Sequence, residues 1–181
     1  MKLVVNKTNF HLKVSRTNIF STMIDDEDMN NKLVQQIDIQ GDSMKHKSNV
    51  KAQMTEWEMW NKPGFNTFAH YYVDVAHHIT TRDYRFKCEL KHIKLSCLWG
   101  MKYLSDDYAI EHDHWPATFG CVYYINPPKD CPGLYFKELD YTVVPKHGEL
   151  TIFDAALRHE VPKKSFIGNR YTVSGNITID G

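Results

Sequence analysis

Cysteine is sparse in this chain, and its spacing gives it no evident structural task. The four residues Cys88, Cys97, Cys121 and Cys131 include no CxxC pair, which argues against a zinc knuckle and against a disulfide framework. A charge excess is missing too: 22 Lys and Arg face 22 Asp and Glu. Nothing in the net charge therefore points to a polynucleotide, whose protein partners usually carry a basic surplus. The small lysine groups, Lys45, Lys47 and Lys51 and then Lys163 and Lys164, read as solvated loops. No hydrophobic run approaches bilayer length. The opening MKLVVNKTNFHLKVS is broken by polar residues too early for the apolar core of a signal peptide. Repeats, low-complexity tracts and linkers rich in Pro, Gly or Ser are also lacking. The expectation is one domain, long enough to bury a core without staples, in a reducing, cytoplasmic setting (the host cytoplasm if the source is viral).

What is present changes character near residue 83. Residues 1–83 open with a strand-like run, Lys2 to Val5, and then turn helical. An acidic start at Asp25 to Asp28 leads into Met29, Leu33 and Ile37, the spacing of a short amphipathic helix stopped near Gly41. Residues 43–65 read as mostly loop, broken at Pro63-Gly64, with Trp57 to Asn66 a candidate wall for a substrate entrance. A second helix is expected from an Asn66 cap, with Phe68, Tyr72, Val75, Ala76 and Ile79 on one face and His70, His77 and His78 as surface or packing residues. Residues 84–181 read as β. Ile93, Leu95, Cys97, Trp99 and Met101 alternate with mostly polar partners, and strand-like runs follow at 118–126, 134–138, 141–144, 149–153 and 170–179. The fold class expected is mainly β with flanking helices, a jelly roll or cupin-like barrel with the N-terminal helices packed on one sheet.

Three histidines carry the chemical signal. His112 and His114 are two residues apart, so an extended strand projects both imidazoles from one face. His159 follows 45 residues later at the end of another strand-like run. Such a set can take one triangular face of an octahedral metal and leave the other face open. Arg170 comes 11 residues after His159, across a turn marked by Pro162 and Gly168-Asn169. If the flanking strands pair, Arg170 returns to the histidines, with Thr172, Ser174 and Asn176 on its strand face. An interior arginine needs an anion, and its planar fork suits a carboxylate.

The segments EHDHWPATFGCVYYIN, CPGLYF, PKHGELTIFD, LRHEVP and GNRYTVSGN, in that order, resemble the 2-oxoglutarate- and Fe(II)-dependent oxygenases, especially the prolyl-hydroxylase-like branch and small phage-type members. The resemblance covers roughly the last 80 residues and implies a double-stranded β-helix. It implies His112, His114 and His159 as iron ligands and Arg170 as the binder of the far carboxylate of 2-oxoglutarate. Thr172, Tyr124 and Tyr103 would contact that cosubstrate, Tyr135 and Val161 would wall its pocket, and Asn176 would face the substrate. The common family pattern is HxD, whereas this chain has His114 at the carboxylate position, with Asp113 as the alternative ligand if a bulge swings it inward. The implied activity is a dioxygenase that uses Fe(II), 2-oxoglutarate and O2 on an unidentified substrate, with a protein side chain or small molecule favoured over nucleic acid. Two rivals remain at this point. One is a cupin-type three-histidine metalloenzyme, although the usual glutamate after the HxH pair is missing. The other is a non-catalytic jelly-roll binding or structural protein.

Overall fold

The computed structural model describes residues 4–11, 16–45 and 48–180. Twelve strands and two α-helices follow one another as β1 (Asn6–His11), β2 (Arg16–Met23), α1 (Glu27–Gln40), β3 (Val50–Lys51), β4 (Gln53–Met54), α2 (Phe65–His78), β5 (Ile93–Tyr103), β6 (Tyr108–His112), β7 (Phe119–Ile125), β8 (Leu134–Phe136), β9 (Tyr141–Val143), β10 (Glu149–Asp154), β11 (His159–Val161) and β12 (Arg170–Ile179). They form a seven-stranded sheet, β1-β2-β10-β7-β12-β5-β4, facing a five-stranded sheet, β3-β6-β11-β8-β9. Every ladder between strands of these sheets is antiparallel. This is the double-stranded β-helix expected from the sequence.

The period-2 pattern of the central strands divides the core into two layers. One set of side chains from the large sheet, including Phe20, Leu98, Tyr123, Ile152, Val173 and Ile177, packs outward against Met29, Leu33 and Ile37 of α1 and Phe68, Tyr72 and Val75 of α2. The alternate set, including Ile19, Trp99, Met101, Val122 and Phe153, faces Ala109, Leu134, Phe136 and Val161 of the small sheet. The helices thus cover one face of the large sheet, and the other face becomes the floor of the interior. Strand β7 lies in the middle and is buried along its whole length, so its run FGCVYYI is apolar on both faces.

Local chemistry sets the helix ends. Asp26 caps α1 by accepting a hydrogen bond from Met29 N at 2.9 Å, and Gly41 ends the helix at a φ of 56°. The start of α2 differs from expectation: Gly64, not Asn66, is its cap residue. Gly64 has a φ of 77°, and a Cβ there would stand 2.8 Å from Leu33 N of α1, so only glycine fits both the turn and the crossing. Asn66 instead accepts from Thr67 N at 2.8 Å within the helix. The Tyr72 hydroxyl reaches the carbonyls of Phe119 at 3.1 Å and Gly175 at 3.2 Å, pinning α2 to the large sheet.

The expected run at Lys2 to Val5 falls partly on residues 1–3, outside the described residues; its described part precedes β1. Lys47 also lies outside them. Residues 43–65 are mostly irregular, as expected, but contain β3 and β4, which pair with β6 and β5. The four cysteines are free. No helix among the described residues is long and apolar enough to cross a membrane.

Candidate metal centre

Strands β6 and β11 pair so that His112 and His159 stand directly opposite each other. Strand β6 ends at His112, and the chain then turns: His114 N donates to Ala155 O at 2.8 Å, and Ala117 N donates to His114 O at 3.0 Å. The turn starts at His114 itself, and the two-residue offset from His112 puts both rings at the cluster. Asp113, between them, points outward, where Oδ1 accepts from Trp115 N at 3.0 Å and the residue is exposed. The bulge that would have carried Asp113 inward does not form, so the alternative ligand lies outside the cluster.

His112, His114 and His159 converge, with one nitrogen of each within 4.8 Å of the others. The Nε2 atoms of His114 and His159 are 3.2 Å apart. Two imidazoles sharing one ion at right angles, with bonds of about 2.1 Å, place their nitrogens about 3 Å apart, so this spacing suits a common ion. Backbone carbonyls set two of the tautomers. His112 Nδ1–H donates to Ile110 O at 2.6 Å, and His159 Nδ1–H donates to Leu157 O at 2.9 Å. Each bond leaves the Nε2 lone pair facing the cluster, the usual way a second partner orients a ligating histidine. Phe153, Phe136 and Trp99 wrap the rings, with Phe153 4.8 Å from His159 and Trp99 6.0 Å from His114. Gly120 makes room, because a Cβ there would lie 2.9 Å from the Phe153 ring and 3.1 Å from His114.

This packing governs protonation. Burial lowers the pKa of all three histidines; it pushes His114 down to about 3, with help from His112, and holds His159 well below the ordinary range. The rings are therefore neutral near pH 7, the form that binds metal. In the unfolded chain they would titrate near pH 6.5, so below that pH the unfolded state takes up protons that the folded state refuses. Stability of the metal-free protein is expected to fall as pH drops from 7 towards 5, by up to about 1.4 kcal/mol per pH unit for each such histidine. Chemical denaturation at pH 7.0 and 5.0 checks this; equal stability at the two values would contradict the burial argument.

Beyond the histidines a narrow cavity of about 30 Å³ runs into the interior, lined by Met101, Tyr103, Leu134, Val161, Arg170 and Thr172 among others. Arg170 sits at its far end, opposite Tyr103 across the β12–β5 ladder, and only 1% exposed. Its guanidinium carbon lies 4.6 Å from the Tyr103 ring centre and 5.4 Å from that of Tyr124. Yet Arg170 Nε and Nη1, Thr172 Oγ1 and Tyr124 OH are all buried without a hydrogen-bond partner. Four unmet polar atoms around one cation are costly unless something polar joins them. Burial raises the pKa of both tyrosines against the opposing pull of Arg170, so both remain neutral hydroxyl donors.

On the open side of the histidines a groove is lined by Trp57, Trp99, Ile110, Trp115 and Asn176. Trp115 is 76% exposed there, and the Asn176 Oδ1 is buried and unpartnered. Of the residues expected from sequence, the structure gathers the three histidines, Arg170, Thr172, Tyr103 and Val161 around one cavity, with Tyr124 beside Arg170 and Asn176 in the outer groove. Tyr135 is a correction. Its hydroxyl bonds Asp140 Oδ1 at 3.2 Å on the outer face of β8, and its neighbour Leu134 lines the cavity instead. Strand alternation forces one or the other inward, and the apolar one goes. Sequence reasoning missed Phe153 and Phe136 as the packing around His159; the aromatic in GELTIFD, six residues before the histidine, was the available signal.

The fold and the site together describe a jelly-roll protein with a three-histidine cluster between an outer groove and a narrow, arginine-ended cavity. By sequence the chain matches no family model and no curated protein. By structure it is similar to a prolyl-4-hydroxylase from Pseudomonas putida, with a TM-score of 0.68 at 14% identity over 90% of this chain and 93% of that one. It is also similar to a collagen prolyl hydroxylase of Paramecium bursaria Chlorella virus-1, solved as a 2OG complex, with a TM-score of 0.57 at 14% identity over 87% and 94%. A third likeness is a Trichoplax adhaerens prolyl hydroxylase solved with a hypoxia inducible factor peptide fragment, with a TM-score of 0.56 at 16% identity over 89% and 82%. The protein has the double-stranded β-helix of the 2OG-Fe(II) oxygenase structures.

Proposed function

We propose that the protein is an Fe(II)- and 2-oxoglutarate-dependent dioxygenase. The observation that carries this reading is the pairing, in one cavity, of three convergent imidazoles with a buried arginine two of whose nitrogens, Nε and Nη1, lack partners. The residues fit the two absent groups. Three neutral imidazoles suit a borderline divalent ion and leave positions open. The unmet Arg170, Thr172 and Tyr124 atoms offer a charged fork and two hydroxyls to one carboxylate. When bound, Fe(II) and 2-oxoglutarate supply O2 activation coupled to oxidative decarboxylation, yielding succinate, CO2 and a hydroxylated product.

The chain's own part is positioning and exclusion. His112, His114 and His159 would hold the iron, with the backbone carbonyls of Ile110 and Leu157 fixing two rings. Arg170, Thr172 and Tyr124 would hold the far carboxylate, with Tyr103 stacked on the guanidinium. Met101, Leu134 and Val161 keep the space between dry, which strengthens the charge contact at its end. Asn176, Trp57 and Trp115 would meet the substrate in the outer groove. That groove mixes apolar and polar groups and carries one charge of each sign, Lys51 and Asp113, so it has no basic surplus for nucleic acid and favours a protein side chain or a small molecule. The solved likenesses with collagen and peptide named in their descriptions agree with that leaning. Three neutral ligands leave the ion at +2, which a 2-oxoglutarate dianion would neutralise; a carboxylate ligand at position 114 would have left the complex at −1. Arg170 has a role in this reading and none in a cupin-type one.

The test is anaerobic loading with Fe(II) followed by 2-oxoglutarate. A weak visible charge-transfer band from the chelate, and succinate release once air is admitted, are the expected results. Metal binding without the band would turn the assignment towards a cupin-type enzyme, and failure to bind any divalent metal would sink it.

A further inference from the structure

A second cavity opens at the other end of β10, and it shares no residue with the one that holds the histidines. Phe153 packs on His159 at 4.8 Å, while Glu149 lies four residues earlier on the same strand, about 13 Å away at the rise of a β-strand. Glu149 and Thr151 are two residues apart, so both point from β10 to the same side, and both line this cavity. Both are buried, Glu149 at 6% and Thr151 at 0% exposure. Glu149 Oε2 and Thr151 Oγ1 nevertheless have no hydrogen-bond partner. Lys146 reaches only the other carboxylate oxygen, Oε1, at 3.4 Å, and its side chain is 67% exposed. The remaining walls mix Ile19, Val143 and the ring of Tyr141 with the hydroxyl-bearing residues Thr8, Ser21 and Thr142.

These features define what the cavity lacks. The unmet groups are a carboxylate oxygen and a hydroxyl oxygen, and no side-chain nitrogen among the described lining residues is left unpaired. A fitting ligand therefore brings positive charge and N–H donors. The space, about 260 Å³, is far larger than a bare ion, and Ile19, Val143 and the Tyr141 ring give part of its wall the means to cover carbon. We propose that this cavity binds a primary alkylammonium group, its nitrogen between the Glu149 carboxylate and the Thr151 hydroxyl and its carbon chain against Ile19 and Val143. Such a nitrogen has three donors, enough for both orphaned oxygens and one further hydroxyl, for which Ser21 and Thr142 stand in the wall. Lys146 is then the competitor at the mouth: it holds Oε1 from the solvent side and lowers the affinity for an incoming cation. Glu149 adjoins Tyr124, whose ionisation its charge opposes, yet the site needs neither iron nor 2-oxoglutarate and survives the failure of that reading.

The experiment is a titration of the full-length, metal-free, isotope-labelled protein with n-butylammonium chloride, following backbone amide shifts. Saturable shifts at Glu149, Thr151 and Ser21 are expected, with little response to 1-butanol, which has the same chain without the charge, or to potassium chloride. Glu149→Gln is expected to weaken binding at least tenfold. Lys146→Met, a change at an exposed side chain, is expected to tighten it several-fold and keeps the test informative if the Glu149 variant folds poorly. A response to potassium equal to that of butylammonium would overturn the proposal in favour of an inorganic cation site. Absence of saturable shifts in both the natural protein and the Lys146 variant would overturn it altogether.

Discussion

His159→Ala is expected to abolish stoichiometric divalent-metal binding while the fold persists. His159 is the most buried of the three histidines, at 3% exposure, and it is held from both sides, by the Leu157 carbonyl on Nδ1 and by Phe153 and Phe136 around the ring. Its Nε2 has no freedom to be replaced by a neighbour. Removing an outer partner of a ligand already costs 10–100-fold in affinity, so loss of the ligand itself should exceed that range. Titration with Co(II) or Zn(II) by calorimetry reads it directly, and His112→Ala is expected to behave alike. His77→Ala serves as the control: that ring contacts the Cys88 carbonyl at 3.0 Å, away from the cluster, and its loss should leave metal affinity unchanged. A His159 variant that binds metal as tightly as the parent would show that the three rings are packing residues.

The histidines were legible in the sequence as a pattern, but the β6–β11 pairing that sets His159 opposite His112 was not. A strand with side chains alternating at period 2 would have presented His112 and His114 from one face. In the structure β6 ends at His112, yet His114 N still bonds Ala155 O, and the turn closed by Ala117 N begins only at His114. Asp113, between the two histidines, points away and spends its carboxylate as the partner of Trp115 N.

The large-sheet strands from Ile93 onward were legible as apolar runs, alternating with polar residues at the start of β5 and apolar throughout in β7. The β1–β2 pair was not: Asn6–His11 is largely polar and exposed, and β2 gains its strand character by pairing with β1 on one side and, across more than a hundred residues, with β10 on the other. Strand β6 was missed too, being short and half exposed between two turns. Long-range pairing of that kind leaves no local periodicity to read. The Gly64 cap follows the same logic. It is demanded by the closeness of the Leu33 backbone on another helix, information absent from the residues around it, whereas Asn66 carries a local cap preference that the crossing overrides.

Arg170 shows the opposite case, a residue whose role is visible because the fold tolerates a cost there. A guanidinium 1% exposed, with Nε and Nη1 unpartnered, sits between two tyrosine rings. Rings stabilise a cation by about 0.5–2 kcal/mol, which falls short of the several kcal/mol needed to strip water from a charge. The ligand-free protein should therefore gain stability, by about 1–4 kcal/mol, when Arg170 becomes methionine, as buried charges replaced by apolar groups of similar volume often show. The same change should weaken 2-oxoglutarate binding by about 2–5 kcal/mol, roughly 30-fold to several thousand-fold, the usual effect of removing one partner of a buried, hydrogen-bonded charge pair. The two effects have opposite sign, which distinguishes a ligand anchor from a structural cation. Denaturation of the metal-free parent and Arg170→Met proteins, with and without 2-oxoglutarate or succinate, measures both. The dicarboxylates should stabilise the parent through binding to the folded state and leave the variant unmoved. A variant less stable than the parent in the absence of ligand would mean that Arg170 is already paired within the fold, and the carboxylate would then need another anchor.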